Sequence, residues 1–461
     1  MSRTPRFELD AGVRRRDDGR QLVGGTPPRL LRLSEAGARV LDRILAGEPP
    51  AGHAAEALTR RLVDEGLVHP VPGDGADDPP VTAVIPALEG GERLVALVTA
   101  LVDEGPVVVV DDGSRDGSGA RAAAAGARVI RHGSPRGPAA ARNAGLRAVE
   151  TELVAFLDAD CVAAPGWRRG LAALFVADPA LALAAPRVRS APGATALARY
   201  EEHSSPLDLG PHAGLVGPER RTAYVPAAAL MARREPLLAL GGFDEAMRFG
   251  EDVDLVWRLV TAGHRVRYVP ASEVGHAPRP SVGAMLRQRA GYGSAAPDLS
   301  RRHGAASTPL RISPHTGAVW ATALTGSAPL TAAALAGSCA TVARRGNDRA
   351  ARLALVDLAL RGHGTATRHL SRALLREWLP LSLLAAARHP RARRLLLAAA
   401  AVDHLAAAWP SEGGPAPREL PATLALRTLD HFAYATGLWR AAISHREARA
   451  LLPNIDAAGE A

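Results

Sequence analysis

The sequence predicts an α/β protein: a doubly wound, mostly parallel sheet, preceded by a small winged-helix-like module and followed by an α-helical C-terminal region. Continuous apolar segments of strand length alternate with Ala- and Leu-rich helical segments between residues 81 and 158. Strands without a polar face are typical of parallel sheets that are buried on both sides. The tail beyond residue 300 is alanine-rich and contains long apolar stretches. With 461 residues, the chain has room for about three domains of ~150 residues.

Residues 1–72 are predicted to form the small N-terminal module. Ser34 has the chemistry of a helix N-cap, and apolar residues follow it at helical spacing. A second helix is expected at about residues 54–65, where Gly66 ends it before a closing strand. Residues 73–80 are rich in proline, glycine and aspartate and are predicted to be a linker.

The central domain is predicted over residues 81–300. Its expected strands and helices are residues 81–86, 107–111, 127–132 and 154–158, and residues 94–102, 120–125 and 139–150, respectively. Helical connections make the strands parallel, so that their carboxyl ends share one edge of the sheet. Ligands of open α/β sheets bind at this edge, which makes the polar residues after each strand the candidates for a site.

Two carboxylates end the second expected strand. Asp111 and Asp112 follow four valines and precede a turn that is rich in glycine and serine. A carboxylate at this position can accept hydrogen bonds from a ribose diol or a base N–H, and small turn residues let a ligand approach closely. The alternative is a solvated turn at the end of a strand.

Two further carboxylates follow the last expected strand as Asp158-Ala-Asp160. Residues two apart on a strand point to the same face, so these side chains are expected to converge. Mg²⁺ or Mn²⁺ binds one or two carboxylates together with phosphate oxygens and water. The pair therefore predicts a metal site for a substrate that carries a diphosphate.

A third acidic segment follows a glycine-rich turn. Glu251, Asp252 and Asp254 open a predicted helix that ends at Gly263. Acidic residues in a first helical turn are favoured by the helix dipole, which explains them without a function. The preceding segment Gly241-Gly242-Phe243-Asp244 indicates instead that backbone approaches a ligand here, and one carboxylate is then a candidate general base for an attacking hydroxyl.

In this order and spacing, the motifs resemble those of family 2 glycosyltransferases, which have the GT-A fold. The resemblance covers about residues 81–276. The segments that carry it include Asp111-Asp112-Gly-Ser, Ala-Arg142-Asn143-Ala-Gly145, Asp158-Ala-Asp160, Gly241-Gly-Phe-Asp244 and Gly250-Glu251-Asp252. It implies a hexosyltransferase that uses a nucleotide-sugar donor together with Mg²⁺ or Mn²⁺.

The resemblance also implies which residues bind the donor. Asp111 and Asp112 correspond to residues that hold the uridine and ribose. Pro86 and Glu89 correspond to the lining of the base pocket. Arg142 corresponds to a contact with the nucleotide or its diphosphate.

Other positions are implied to bind the metal or to act in catalysis. Asp160 is the expected metal ligand, and Asp158 is expected to contact ribose or a metal-bound water. Asp252, with its neighbour Glu251, falls where the family has its general base. His276 is expected either as a further metal ligand or as a structural residue.

The whole chain resembles the glycosyltransferases of mycofactocin systems, and residues 1–72 are similar to PqqD-like peptide-recognition modules. This resemblance implies inverting transfer of glucose from UDP-glucose to a hydroxyl of premycofactocin, a peptide-derived redox cofactor precursor, and the building of a glucose oligomer. The sequence lacks the Gln-x-x-Arg-Trp motif of processive members, and Arg287 and Arg289 are either diphosphate contacts or surface residues. A membrane glycosyltransferase of the same family with a lipid or cell-wall acceptor is the alternative.

The positive charge of the chain is concentrated in its tail. All 56 basic residues are arginine, and residues 1–276 carry a net charge of −3 whereas residues 277–461 carry +12. A basic tail beside apolar stretches favours an anionic membrane surface over nucleic acid as a partner. A DNA-binding regulator is disfavoured because Arg60 and Arg61 are offset by neighbouring acidic residues.

Residues 317–343 carry no charge and are predicted either to cross a membrane once or to form a buried or interfacial helix pair. Residues 395–408, behind an arginine cluster, are expected to form an amphipathic surface helix. No secretory signal is visible, and two cysteines, Cys161 and Cys339, cannot make a disulfide framework. The catalytic domain is therefore expected in the cytoplasm, held at the inner face of the cell membrane.

Overall fold

The computed structural model describes residues 6–26, 28–71, 79–408 and 415–455. The chain divides into two compact units, Met1–Arg279 and Pro280–Ala461. The predicted linker, residues 73–80, lies outside the described residues except for its last two prolines. The predicted combination of an α/β sheet domain with a helical C-terminal region is confirmed.

The N-terminal module combines two helices with short strands. Its elements are β1 (Arg6–Leu9), β2 (Arg14–Arg16), β3 (Gln21–Gly24), β4 (Arg29–Arg32), α1 (Glu35–Leu45), α2 (His53–Asp64) and β5 (Val68–Val71). Antiparallel pairing joins β1 to β5, and β3 to both β2 and β4. The Ser34 hydroxyl accepts a hydrogen bond from Gly37 N (3.1 Å) and begins α1, as predicted. The strands β1 to β3 were not predicted, because they are short and β2 consists of three arginines.

The central sheet lies in a continuously described part of the chain. Its strands are β6 (Val81–Ala87), β7 (Val107–Asp111), β8 (Arg128–Arg131), β9 (Leu153–Leu157), β10 (Cys161–Ala163), β11 (Leu181–Ser190), β12 (Gly214–Leu215), β13 (Ala229–Arg233) and β14 (Arg265–His276). Its helices are α3 (Gly91–Leu101), α4 (Ser118–Ala124), α5 (Pro138–Ala148), α6 (Arg169–Ala177), α7 (Ala196–Ser204), α8 (Arg234–Ala239) and α9 (Glu251–Thr261). The strands and helices predicted up to residue 158 are confirmed and differ only at their ends.

The sheet is mixed but mostly parallel. Its strand order is β10-β14-β11-β13-β9-β6-β7-β8, and β12 pairs with β14. The neighbours β8, β7, β6 and β9 are parallel, as are β11 and β14, whereas β13 runs antiparallel between β9 and β11. Consequently the carboxyl ends of β7 and β9 and the amino end of β13 lie at the same edge of the sheet.

Arginine hydrogen bonds attach the N-terminal module to the central domain. Arg265 at the start of β14 donates to the Asp64 carboxylate (2.7 Å) at the end of α2. Arg220 donates to the carbonyl oxygens of Thr26 and Asp64. The module is therefore held against the sheet domain within one compact unit, in addition to its covalent connection.

The C-terminal unit is helical. Its helices are α10 (Val282–His303), α11 (Pro314–Leu324), α12 (Ala328–Ala343), α13 (Arg349–Leu375), α14 (Leu379–Arg388), α15 (Pro390–Ala408) and α16 (Leu420–His445). Three short 3₁₀ helices, Gly304–Ser307, Pro417–Glu419 and Arg449–Leu451, and the parallel strands β15 (Arg311–Ile312) and β16 (Asn454–Ile455) complete it. The backbones of α10 and α16 touch at Gly293 and Gly437, where no Cβ has room. Because α10 belongs to this unit, the sheet domain ends at Arg279 instead of residue 300.

The predicted membrane span is wrong. Residues 317–343 contribute to two helices, α11 and α12, and Ser327 caps the second through a hydrogen bond from Leu330 N to its hydroxyl. Nowhere in the described residues does a helix combine the length and apolar character that crossing a bilayer requires. The predicted location at the cell membrane, which rested on this segment together with the basic charge of the tail, is corrected with it.

The helix predicted at residues 395–408 is part of α15. Its Asp403 is buried and accepts hydrogen bonds from Arg427 (2.7 Å) and His431 (3.0 Å) of α16. These bonds hold the pKa of Asp403 well below its usual range, although burial alone raises it. Asp403 therefore serves packing within the helical unit.

Gly145→Ala is expected to destabilise the protein. Gly145 lies in α5, and an added Cβ would overlap the Val84 side chain of β6. Overpacking of this kind costs about 1–3 kcal/mol, so the melting temperature should fall by several degrees. Gly170→Ala in α6 is the control, because a Cβ there meets no atom within 4 Å. A calorimetric scan that finds equal melting temperatures for the two variants would contradict the close packing of α5 on β6.

Candidate active site

The carboxylates at the end of β7 order the surrounding loops. Buried Asp111 accepts a hydrogen bond from Ser114 N (2.8 Å) and forms an ion pair with Arg131. Asp112, which is also buried, accepts a hydrogen bond from Gly137 N (2.8 Å) just before α5. Both carboxylates therefore hold the loops that surround the strand end, and their contacts with uridine and ribose stay predictions.

Pro86 and Glu89 lie beside this strand end. Pro86 is half-buried in β6, opposite Val110 of β7. Glu89 has a φ of 53°, its backbone N donates to Ser114 Oγ (3.0 Å), and its carboxylate accepts a hydrogen bond from Arg115 N (2.9 Å). These two bonds join the loops after β6 and β7, and the predicted base pocket would lie between them.

Asp158, Asp160 and His276 form one cluster at the same edge of the sheet. One ligand atom of each lies within 4.8 Å of the other two. The pairing of β10 with β14 sets Cys161 opposite His276, which brings His276 Nε2 to 3.1 Å from Asp160 Oδ1. His276 Nδ1 lies 2.9 Å from the carbonyl oxygen of Ala277. When Nε2 loses its proton and Nδ1 keeps one, the Nε2 lone pair faces the carboxylates, which is the arrangement of a metal-binding histidine.

The charges of this cluster fit a divalent cation. Burial raises the pKa of Asp160, but the hydrogen bond and charge of His276 hold it below its ordinary value. Burial lowers the pKa of His276, but Asp160 raises it above its ordinary value. Two carboxylates with one imidazole suit Mn²⁺, and carboxylates with water suit Mg²⁺. The residues predicted from the sequence are therefore brought together in an arrangement that can hold the predicted metal.

Arg279 is a member of this cluster that the sequence analysis missed. Its guanidinium lies 3.5 Å from Asp160 Oδ2 and 3.3 Å from His276 Nε2. Its backbone N donates to the buried carboxylate of Glu201 (2.6 Å). The signal available in the sequence was its position three residues after His276, but no spacing rule links an arginine at that position to a metal site.

Arg142 connects the metal cluster to the start of α9. Its guanidinium donates to Asp158 Oδ1 (2.7 Å) and to Glu251 Oε1 (2.8 Å) and lies 5.4 Å from the centre of the Phe243 ring. Burial lowers the pKa of Arg142, but the two carboxylates raise it above its ordinary value, so the side chain is charged. Two of its three nitrogens therefore have carboxylate partners within the protein.

The acidic pair at the start of α9 differs in accessibility. Glu251 is buried beside Arg142, and burial, with the charge of Asp252, raises its pKa to about 7. Asp252 is half-buried, burial of its carboxyl also raises its pKa, and it accepts a hydrogen bond from Ala227 N (3.2 Å). The next residue, Ala228, accepts a hydrogen bond from Asp158 N (2.9 Å). The segment before β13 thus holds the acidic helix start next to the metal cluster.

Asn143 explains the glycine-rich turn before this helix. Its side chain donates to the Phe243 carbonyl oxygen (2.7 Å) and accepts from Phe243 N (2.9 Å). Gly242 has a φ of 73°, and an added Cβ would overlap the Asn143 amide. The close approach that the sequence suggested for a ligand is therefore made by Asn143, whose role the sequence analysis did not assign.

Arg289 is not a surface residue, which was one of the two predictions for it. It is buried in the helical unit, where its Nε donates to Asp430 Oδ2 (2.8 Å). It contributes to the packing of α10 on α16. Arg287, on the same helix, is exposed.

Comparison with known proteins identifies the family of this chain. Residues 82–236 match the family described as Glycosyl transferase family 2. The chain is 38% identical over 464 residues to the pre-mycofactocin glycosyltransferase of Mycobacterium tuberculosis (strain H37Rv), and the match covers 97% of both chains. The chain belongs to glycosyltransferase family 2. The family and the enzyme class predicted from the sequence are confirmed.

The glycosyltransferase is also similar to shorter stretches of other proteins. It is 31% identical over 200 residues to the succinoglycan biosynthesis protein ExoU of Rhizobium meliloti, which covers 38% of this chain and 55% of ExoU. Among solved structures, mannosyltransferase PcManGT from Pyrobaculum calidifontis, in complex with GDP-Man and Mn²⁺, is 19% identical with a TM-score of 0.40. That match covers 63% of this chain and 88% of the mannosyltransferase.

The raised pKa values at the start of α9 predict a pH dependence. Protonation removes the ability of Glu251 and Asp252 to accept a proton, so kcat/KM for transfer should fall as the pH drops through about 7. The apparent pKa belongs to the acidic pair, which Arg142 faces from α5. The measurement is kcat/KM between about pH 5 and pH 9 at constant ionic strength. An acid limb near the ordinary carboxyl value of about 4 would contradict the assignment.

Proposed function

We propose that this glycosyltransferase moves glucose from UDP-glucose to a hydroxyl of premycofactocin, a peptide-derived redox cofactor precursor, with inversion of the anomeric centre. The observation that carries the proposal is the juxtaposition of the Asp158, Asp160 and His276 cluster with the acidic start of α9. The acceptor is supported by the identity to the pre-mycofactocin glycosyltransferase over 97% of both chains, the N-terminal module included.

The donor side of the site consists of strand-end residues. Asp160 and His276, with Asp158, would hold Mg²⁺ or Mn²⁺, which neutralises the charge that develops on a leaving diphosphate. Asp111 and Asp112 hold the loops around the end of β7, where the uridine and ribose would bind.

Asp252 is the better candidate for the general base. Glu251 is buried, and one of its oxygens is bound by Arg142 (2.8 Å). Asp252 is half-buried, and its two oxygens accept hydrogen bonds from the backbone nitrogens of Ala227 (3.2 Å) and Val253 (2.8 Å), so no charged side chain of the described residues covers it. An acceptor hydroxyl can therefore reach its carboxylate, which takes the proton as the hydroxyl oxygen attacks the sugar.

The N-terminal module would bind the acceptor. It resembles peptide-recognition modules, and premycofactocin derives from a peptide. Arg265 and Arg220 hold the module at the beginning of β14, whereas His276 ends that strand at the catalytic edge, so an acceptor bound at both places would extend along the sheet domain.

Incubation with UDP-glucose, Mn²⁺ and premycofactocin tests the proposal directly. Mass spectrometry should show a premycofactocin product heavier by one hexose, and a series of such increments would indicate that an oligomer is built. UDP-galactose and GDP-mannose in separate reactions are the donor controls. Transfer from GDP-mannose alone would contradict the proposed donor, and absence of transfer from every donor would contradict the acceptor.

Asp160→Ala is expected to abolish transfer without unfolding the protein. Asp160 is part of the proposed metal site at a sheet edge and is partly exposed, so its loss leaves the apolar core intact. Circular dichroism and the melting temperature should stay close to those of the wild type while turnover is lost. Near-normal turnover of this variant in the presence of EDTA would contradict the metal assignment.

Asp252→Asn keeps the size of the side chain and removes the proton acceptor. Turnover should fall by about 10²–10⁴-fold with little change in the affinity for UDP. Asp254→Asn is the control in the same helix, because Asp254 is bound to Arg258 (2.7 Å) and packs within the fold. A loss of UDP affinity as large as the loss of turnover would make Asp252 a binding residue.

A further inference from the structure

The side chain of Arg142 is more buried than contact with a substrate requires. Its side chain is 5% exposed and stacks over Phe243, and its Nε is buried without a hydrogen-bond partner in the described structure. Its other two nitrogens donate to Asp158 and Glu251. Because only 5% of the side chain is exposed, a diphosphate has little access to the N–H groups that remain.

The two carboxylates belong to opposite sides of the proposed reaction. Asp158 is at the end of β9, in the cluster that would hold the metal and the donor. Glu251 begins α9, next to the proposed base Asp252. The guanidinium is the group that contacts both, and its planar fork fixes two carboxylates in direction as well as in distance.

The positive charge of Arg142 balances the acidic groups that it connects. Asp158, Glu251 and Asp252 are three acidic groups that all interact electrostatically with Arg142. Without the guanidinium, the carboxylates of Asp158 and Glu251 would lose the counter-charge between them and repel each other. The start of α9 and the end of β9 would then move apart.

We propose that Arg142 is a positioning residue that joins the donor side to the acceptor side of the active site and does not itself bind the diphosphate. This inference rests on the proposed function, because it assumes a nucleoside diphosphate leaving group. It replaces the donor contact that resemblance implies for Arg142 with a role that the hydrogen bonds of this chain support.

Arg142→Gln and Arg142→Lys separate the two roles. Binding of UDP and of uridine is measured by calorimetry in EDTA, so that changes at the metal cluster do not contribute. The ratio of the two affinities should stay within about twofold of the wild-type ratio, because no diphosphate contact is lost. Turnover of Arg142→Gln with UDP-glucose and Mn²⁺ should fall by at least about 100-fold, since misplacement of reacting groups has effects of this size. Arg142→Lys keeps the charge, so its turnover should lie between that of the wild type and that of Arg142→Gln.

Arg233→Gln is the matched control. Arg233 also lies over a phenylalanine ring, Phe175, at 5.6 Å, and pairs with a carboxylate, but at the opposite edge of the sheet. The Arg233→Gln substitution should lower the melting temperature of the protein with little effect on turnover. If turnover of Arg142→Gln is no lower than that of Arg233→Gln, the positioning role is excluded.

The double variant Arg142→Gln/Glu251→Gln tests the coupling. Once Glu251 is neutral, loss of the guanidinium leaves one fewer carboxylate without a counter-charge. The effect of Arg142→Gln on turnover should therefore be at least about tenfold smaller in the Glu251→Gln background than in the wild type. Equal effects in both backgrounds, or a UDP-to-uridine affinity ratio that falls more than about tenfold in Arg142→Gln, would overturn the proposal.

Failure of the proposed function gives a different result. A wild-type enzyme that binds neither UDP nor uridine contradicts the UDP donor but does not address Arg142. The affinity ratio is then measured with the nucleoside and nucleoside diphosphate that the wild-type enzyme does bind, and turnover with the corresponding sugar donor. The same limits on the ratio and on turnover decide the role of Arg142.

Discussion

Convergence of carboxylates at one edge of the sheet is the constraint on which the rest of the site depends. Parallel strands that are buried on both faces can carry polar residues only where they end, so Asp111, Asp112, Asp158 and Asp160 all collect at the same edge. Like charges at this density repel, and each needs a donor or a cation. Their respective partners are Arg131, His132, Arg142 and Arg279.

These partners divide the edge into two parts. Around the end of β7, Asp111 and Asp112 bind mainly to loop groups, and the loops are consequently fixed before any ligand arrives. Around the end of β9, Asp158 and Asp160 bind side chains that come from α5 and from the end of β14. Asp160 in the second part can exchange a side-chain partner for a metal ion without unfolding a loop, so we propose the metal site there.

Much of this arrangement could be predicted from the sequence. Apolar runs of strand length located the strands up to residue 158, and the carboxylates directly after them located the edge. His276 was a weaker prediction, because no sequence rule relates a residue at the end of β14 to the carboxylates that follow β9. The pairing of β10 with β14, which is a long-range contact, is what brings His276 to Asp160.

Other features depend on contacts that leave no local pattern. The short, arginine-rich strands of the N-terminal module lack the alternation by which strands are recognised. The uncharged segment 317–343 left a single membrane crossing and a helix pair open, and the structure has two helices, the second of which begins at the cap Ser327 and the first-turn proline Pro329. Asn143 and Arg279 act through partners that are distant in sequence or that have no spacing rule.

The central claim is that Asp158, Asp160 and His276 form a metal site beside the acidic start of α9. Crystals of the full chain soaked with Mn²⁺ and UDP test it most directly, through the anomalous signal of manganese. The account predicts one peak within coordination distance of an Asp160 oxygen and His276 Nε2, with Asp158 directly or through a water at the same ion. A manganese peak elsewhere on the sheet edge, or bound UDP without any peak at these three residues, would contradict it.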